Sequence, residues 1–99
     1  MKVVDPALRL SAQRALLGAI SPQIRLIKVN RDGDRITVTT IVAEPLSETA
    51  SDALSTAATE IVADYSDCCI HEVMIVSTAP LPLESCLEEG WVYLRYEGN

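Results

Sequence analysis

Asp32 and Gly33 lie between two runs that are rich in β-branched side chains. The first run is "IRLIKVN" at 24–30, and the second is "RITVTTIV" at 35–42. An Asp-Gly pair between two such runs is the strongest short signal for a β-hairpin, because glycine accepts the positive φ of a tight hairpin turn. The sequence therefore predicts two antiparallel strands, and the rest of the fold has to be built around them.

The turn also predicts which residues of the hairpin face each other. A two-residue turn at 32–33 places Val29 opposite Ile36 and Ile27 opposite Val38. Side chains alternate across a strand, so these four share one apolar face with Val42. The other face is polar near the turn and apolar near the base; it comprises Ile24, Leu26, Lys28, Arg35, Thr37, Thr39 and Ile41.

Helical spacing of apolar residues predicts a helix before the hairpin. Asp5 is suited to the N-cap and Pro6 to the first helical position. The Ser-Pro pair at 21–22 is expected to end the helix. The side chains expected on its apolar face are Leu8, Ala12, Ala15, Leu16, Ala19 and Ile20, widened by Leu10 and Leu17.

A second helix is predicted after the hairpin, at about residues 48–65, with Ser47 or Thr49 as its N-cap. Its apolar face is rich in small residues, so the helix can lie close to a sheet. The residues of this face are Leu54, Ala57, Ala58, Ile61, Val62 and Tyr65.

Two further strands are predicted at 70–77 and 91–96, joined by the long loop 78–90. The element order is then α-β-β-α-β-β within one domain, residues 1–99. This order predicts an α+β fold, a two-layer sandwich in which both helices cover one face of a mainly antiparallel four-stranded sheet. The other face of the sheet would stay uncovered.

The last strand holds most of the aromatic side chains of a chain that has no Phe. Alternation places Val92 and Leu94 toward the core and Trp91 and Tyr93 on the uncovered face. Large side chains with a polar tip are the usual anchors of protein interfaces, so the pattern favours a binding surface there. The alternative is that Trp91 covers a core edge within the monomer.

Charge is distributed unevenly along the chain. Residues 1–35 carry seven of the eight Lys and Arg side chains and three acids, whereas residues 36–99 carry Arg95 alone and eleven acids. The acidic part disfavours nucleic acid, whose phosphates it would repel, and favours encounter with a basic protein. An equally open alternative is that acidity only keeps the protein soluble.

The chain contains no apolar run long enough to span a membrane and no apparent signal peptide. Its three cysteines, Cys68, Cys69 and Cys86, cannot form a full set of disulfides. Free thiols are typical of a reducing compartment, so we expect a cytoplasmic protein without a membrane partner.

Few residues point to catalysis or to metal binding. His71 is the single histidine, and the cysteines include no C-x-x-C pair, which disfavours a zinc site. Cys69 and His71 share a strand face, which leaves a small enzyme or ligand-binding domain as a weaker alternative. No phosphate-binding or nucleophile-elbow motif is present, so no cofactor and no enzymatic activity are predicted.

The segments "DPALRLSAQRALLGAI", "TEIVADYSD" and "WVYLRYE" resemble small bacterial immunity proteins of contact-dependent inhibition and related polymorphic toxin systems. The resemblance implies a cytoplasmic, non-enzymatic protein that binds and neutralises one toxin domain. The acidic charge further suggests a basic, nuclease-type toxin. The contact residues predicted from charge and aromatic content are Glu84, Glu88, Glu89, Trp91 and Tyr93, with Glu60 and Asp64 at the margin.

A self-associating domain is the main alternative to a toxin-binding protein. The uncovered sheet face would carry Ile24, Leu26, Ile41 and Trp91, and two such faces could pair across a two-fold axis as a homodimer.

Overall fold

The computed structural model describes residues 6–81 and 91–95. In chain order the elements are α1 (Pro6–Ala15), β1 (Ile24–Asp32), β2 (Arg35–Val42), α2 (Glu48–Ala63), β3 (Cys69–Val76) and β4 (Trp91–Leu94). The predicted α+β fold is confirmed: two helices lie on one face of a four-stranded sheet, in the order α-β-β-α-β-β.

The sheet has the strand order β3-β2-β1-β4. β1 pairs antiparallel with β2 and with β4, while β2 pairs parallel with β3. The parallel pair follows from α2, because two neighbouring parallel strands need a crossover connection and a helix commonly supplies it. The sheet is therefore mainly antiparallel, as predicted, and β3 and β4 form its two edges.

The hairpin has a different register from the predicted one. Asp32 pairs with Arg35, and Val29 pairs with Val38 instead of Ile36. The loop is thus Gly33–Asp34, and glycine occupies its first position with a φ of 62°. A positive φ at the first position alone is the pattern of a type II′ turn, whereas the predicted Asp-Gly loop is typical of type I′. The shift is two residues, so most side chains keep their predicted faces. An irregularity between Ile24 and Leu26 breaks the alternation, and Ile24 lies on the helix side instead of the predicted uncovered face.

Helix α1 ends earlier than the Ser-Pro pair predicts. Its last residue is Ala15, and the turn that follows contains Gly18 with a φ of 81°. A residue in this left-handed conformation is the usual way to end a helix, so Gly18 is the stop signal. Leu10 and Leu17 do not widen the apolar face as predicted, since they are 54% and 81% exposed. The predicted N-cap, Asp5, lies outside the described residues.

Helix α2 follows its prediction closely. The Ser47 side chain accepts a hydrogen bond from the Ala50 backbone N–H at 3.1 Å, which satisfies one of the free donors of the first turn. Leu54, Ala57 and Ile61 are buried against the sheet, and the acids of the helix point outward.

The main core lies between the helices and the sheet. α1 contributes Leu8 and Ala12, and Leu16 and Ala19 follow from the turn after it. Their partners on the sheet come mostly from the central strands: Ile24, Ile27, Val29, Ile36, Val38 and Val42. Burying apolar area on this scale is the principal stabilising contribution to the fold.

Strand β4 departs from simple alternation. Lys28 pairs with Trp91, and the next residue of β1, Ile27, pairs with Tyr93. Val92 is therefore the extra residue of a β-bulge, and Tyr93 lies on the face opposite to Trp91. The prediction that Tyr93 and Trp91 share the uncovered face is wrong, and so is the prediction that Leu94 faces the core. Leu94 pairs with Leu26 and is 39% exposed.

Candidate protein-binding surface

Trp91 lies on the sheet face away from the helices, as predicted. It packs against the buried residues Leu26 and Ile41, and Leu81 packs against the same pair. Arg9 reaches the ring from α1, with its guanidinium carbon 5.3 Å from the ring centroid, at a distance where cation–π attraction is significant. The indole is partly buried, so Trp91 helps to close an apolar cluster in the monomer. Its role as a partner contact stays a prediction.

Tyr93 lies on the helix side and packs against the main core. Together with Val92 it borders a shallow groove of about 210 Å³ beside the end of α1, where Leu17 and Ile20 are exposed. The bulge in β4 explains this position, and the contact role of Tyr93 stays a prediction.

The two predicted contacts on α2 are both exposed. Asp64 caps the C-terminus of the helix and accepts a 2.5 Å hydrogen bond from the buried Ser11 hydroxyl of α1. It therefore ties the two helices together, whereas Glu60 projects outward. These acids lie in the helix layer, on the other side of the sheet from Trp91. Glu84, Glu88 and Glu89 lie outside the described residues.

The uncovered sheet face is partly closed by the chain that leaves β3. Arg25 is buried, and its guanidinium donates hydrogen bonds to the carbonyls of Ser77 and Ala79 at 2.8 and 2.9 Å. Two residues further, Leu81 packs on Leu26 and Ile41. The apolar face expected to drive self-association is thus covered within the monomer, and Ile24 belongs to the main core. That basis for a homodimer is wrong.

Exposed acidic side chains surround α2 and β3. Between Arg35 and Arg95 the sequence contains no Lys or Arg. Seven acids of this stretch are described, and all seven are exposed: Glu44, Glu48, Asp52, Glu60, Asp64, Asp67 and Glu72. The charge asymmetry of the sequence therefore places exposed carboxylates along the α2–β3 side, with Arg31 and Arg35 of the hairpin at one end of it. The seven described acids belong to α2, to β3 and to the loops on either side of α2, and an acidic binding surface there stays a prediction.

The exposure of β3 is not indicated by its apolar residues. Met74, Ile75 and Val76 are 44%, 43% and 54% exposed at the sheet edge. An unbroken apolar run normally indicates a buried strand, so the run "VMIV" pointed the other way. The one signal of an edge within this strand is Glu72, because charged side chains are typical of edge strands.

Cys69 and His71 are exposed on β3, and within the described part of the chain no hydrogen bond joins them. Cys68 packs against the main core. Partial burial raises the pKa of its thiol, an effect that Arg31 opposes and Asp67 reinforces. A raised thiol pKa disfavours the nucleophilic thiolate. Among residues 6–81 and 91–95, no cluster of side chains is suited to hold a metal ion. In the same residues, no helix has the length and apolarity needed to span a membrane.

A comparison with known protein families assigns the chain to one of them. Residues 5–97 match the model of the MafI2 immunity protein family, which is nearly the entire chain. The chain belongs to the MafI2 immunity protein family. The resemblance to immunity proteins of polymorphic toxin systems is thereby confirmed. None of the curated proteins compared matches the chain.

Two solved structures align with most of this MafI2 family member. A crystal structure from Shewanella oneidensis aligns over 92% of this chain and 73% of its own, with 11% identity and a TM-score of 0.55. A chain from the tri-AMPylated Shewanella oneidensis HEPN toxin in complex with MNT antitoxin aligns over 88% of this chain and 73% of its own, with 14% identity and a TM-score of 0.47. Of these two structures, the first is similar enough to show a shared fold.

Proposed function

We propose that this protein neutralises one toxin domain by binding it, and that the toxin is a basic, nuclease-type domain. Membership of an immunity protein family is the observation that carries the proposal. The acidic α2–β3 side supports the finer statement, because seven exposed carboxylates without a Lys or Arg among residues 36–94 present a negative field. A basic cleft that binds nucleic acid would be attracted by the same field.

The proposed role is non-enzymatic and cytoplasmic. The protein acts by occupying the toxin, and the proposal assigns it no catalytic residue. Glu60, Asp64, Trp91 and Tyr93 remain proposed contacts, together with the acids of the segment between β3 and β4, Glu84, Glu88 and Glu89.

The direct test uses a toxin domain sought among the genes next to the one for this protein. We expect it to degrade labelled RNA or DNA, and we expect this protein to abolish that degradation at a one-to-one ratio. A toxin that forms the complex but cleaves no nucleic acid would retain the immunity role and remove the nuclease assignment. A toxin that is neither bound nor inhibited would remove both.

Electrostatic steering has its own test. Glu60→Lys, or Glu88→Lys with Glu89→Lys, is expected to slow association roughly two- to fivefold at low salt, because each reversal weakens attraction to a basic partner. Arg14→Glu, an exposed position on α1, is the matched control and should accelerate association slightly. Association rates that are equal in all variants and at all salt concentrations would contradict the acidic surface.

A further inference from the structure

We propose that the free edge of β3 binds an extended segment of the toxin as a fifth strand, and that this segment carries Lys or Arg side chains. This inference rests on the proposed function and names the surface and the mode of binding. Four observations on the described residues support it: the direction of the backbone groups, the exposed side chains, the lack of edge protection and the surrounding charge.

The backbone of β3 has a row of donors and acceptors that the sheet does not use. The N–H groups of Cys69 and Ser77 donate to the Asp34 and Val42 carbonyls of the β2 side. Backbone groups alternate in direction along a strand, so odd-numbered residues of β3 point to β2. The even-numbered residues Ile70, Glu72, Met74 and Val76 therefore point their N–H and C=O groups away from the sheet. This row has the spacing that another strand recognises.

Apolar side chains flank this row on both faces of the sheet. Met74 and Val76 pair with Thr40 and Val42 and lie on the helix side, whereas Ile75 pairs with Ile41 and lies on the other side. All three β3 residues are between 43% and 54% exposed. A groove of about 260 Å³ extends the helix side of the edge; Val38 and Thr40 contribute to its lining, together with Leu54 of α2. An added strand would bury side chains above and below the sheet.

Among the described residues, the edge lacks most of the features that usually prevent strand addition. Natural proteins protect edges with charged side chains, above all Lys, and with Pro, bulges or very short strands. β3 is eight residues long, contains neither Lys nor Pro, and pairs with β2 without a bulge; its one charged side chain, Glu72, would attract a cationic segment. Retaining such an edge risks non-specific association, so its persistence is expected where a specific partner covers it.

The surrounding charge selects the partner. The Glu72 carboxylate accepts a hydrogen bond from the Ser55 hydroxyl at 3.1 Å, so this acid lies between β3 and α2. Residues three apart on a helix are neighbours on one face. Glu48 is therefore next to Ser51, which lines the groove, and Asp52 is next to Ser55. A cationic segment would be attracted here. A second copy of this chain would instead bring a second α2 with the same acids and no Lys or Arg, so self-pairing is disfavoured.

Proline substitution tests the inference because it removes one N–H donor. Met74→Pro removes an outward donor while leaving the hydrogen bonds to β2 in place. Leu94→Pro is the matched control at the opposite edge: the Arg95 N–H donates to the Arg25 carbonyl, so the Leu94 N–H points outward from β4. We expect Met74→Pro to weaken toxin binding by at least about tenfold, and Leu94→Pro to change it less than about twofold.

A second pair of variants keeps every backbone N–H, so it tests the inference even where the proline variant does not fold. Met74→Lys and Met74→Glu both remove the apolar contact, but only the lysine adds a charge that repels a cationic segment. We expect Met74→Lys to bind the toxin at least about fivefold more weakly than Met74→Glu. Thermal unfolding of each variant, followed by circular dichroism, establishes that it is folded.

The outcomes separate this inference from the proposed function. Wild-type protein that binds the toxin, with Met74→Pro folded and binding equally well, overturns strand addition and leaves the immunity role intact. Wild-type protein that does not bind the toxin removes both. A free protein that sediments as a dimer, and becomes monomeric in Met74→Pro with unchanged toxin affinity, would assign the edge to a second copy and also overturn the inference.

Discussion

The two edges of the sheet are built in opposite ways. β4 has four residues, contains a bulge, and is closed on one face by Trp91 beneath Arg9. β3 has eight residues in regular register with β2 and exposes three large apolar side chains in succession. A fold can protect an edge strand, as β4 demonstrates, so the exposure of β3 indicates a different use. Of the two edges, β3 is therefore the one that offers a partner strand a long and regular backbone, which is the basis of the strand addition proposed above.

The largest expected loss of stability concerns the chain that leaves β3 toward β4. Arg25 holds the chain that leaves β3 through the Ser77 and Ala79 carbonyls. Arg25→Ala removes a buried guanidinium and its hydrogen bonds to two carbonyls, and we expect it to lower the free energy of unfolding by about 3 kcal/mol. Urea denaturation measures this, with the exposed Arg14→Ala as control. A cost equal to that of Arg14→Ala would show that Arg25 does not pin the connection.

A smaller change in the free energy of unfolding is expected when one residue of each edge is replaced by alanine. Trp91→Ala removes a ring that packs on two buried side chains, so we expect a loss of roughly 2 kcal/mol, less than a fully buried aromatic side chain would cost. Met74→Ala removes an exposed side chain and should cost less than about 0.5 kcal/mol. Toxin dissociation rates measured on the same variants sharpen the comparison. A faster off-rate for Trp91→Ala with an unchanged off-rate for Met74→Ala would support the contact at Trp91 and contradict the one at β3.

The smallest effect concerns the thiol that precedes β3. Because burial raises the pKa of Cys68, its alkylation by iodoacetamide should require a higher pH in the folded protein than in urea. The folded state retains the thiol proton more strongly, so stability is present below the unfolded pKa and declines as the pH rises through the folded one. The variant Cys69→Ser/Cys86→Ser isolates this thiol. Identical pH curves in the folded and unfolded chain would contradict the burial.

The overall fold could be predicted because its local signals agree with one another. The spacing of Leu54 and Ile61 indicates α2, and a glycine between two β-branched runs indicates a hairpin. The register could not be predicted. A glycine at position 33 fits a two-residue loop at 32–33 as well as one at 33–34. Which of the two forms depends on the turn type and the twist of the strands, and residue types alone do not decide it.

The candidate surface could be predicted less well than the fold. Acids concentrated after residue 36 predict an acidic side; the described carboxylates of α2 are exposed, and their role as a binding surface stays a prediction. The aromatic pattern failed at Tyr93 because alternation assumes a strand without a bulge. The exposure of Met74 could not be predicted, because it depends on β3 being an edge strand. The strand order of the sheet decides this, and it depends on contacts between distant segments of the chain.

The most direct measurement is amide hydrogen exchange, resolved by residue, on the free protein and on its complex with the toxin domain. Strand addition at β3 predicts that the outward amides of Glu72, Met74 and Val76 exchange at least about tenfold more slowly in the complex, because they gain hydrogen bonds, while the Leu94 amide is unchanged. Unchanged exchange at all three β3 amides in a saturated complex would contradict the account.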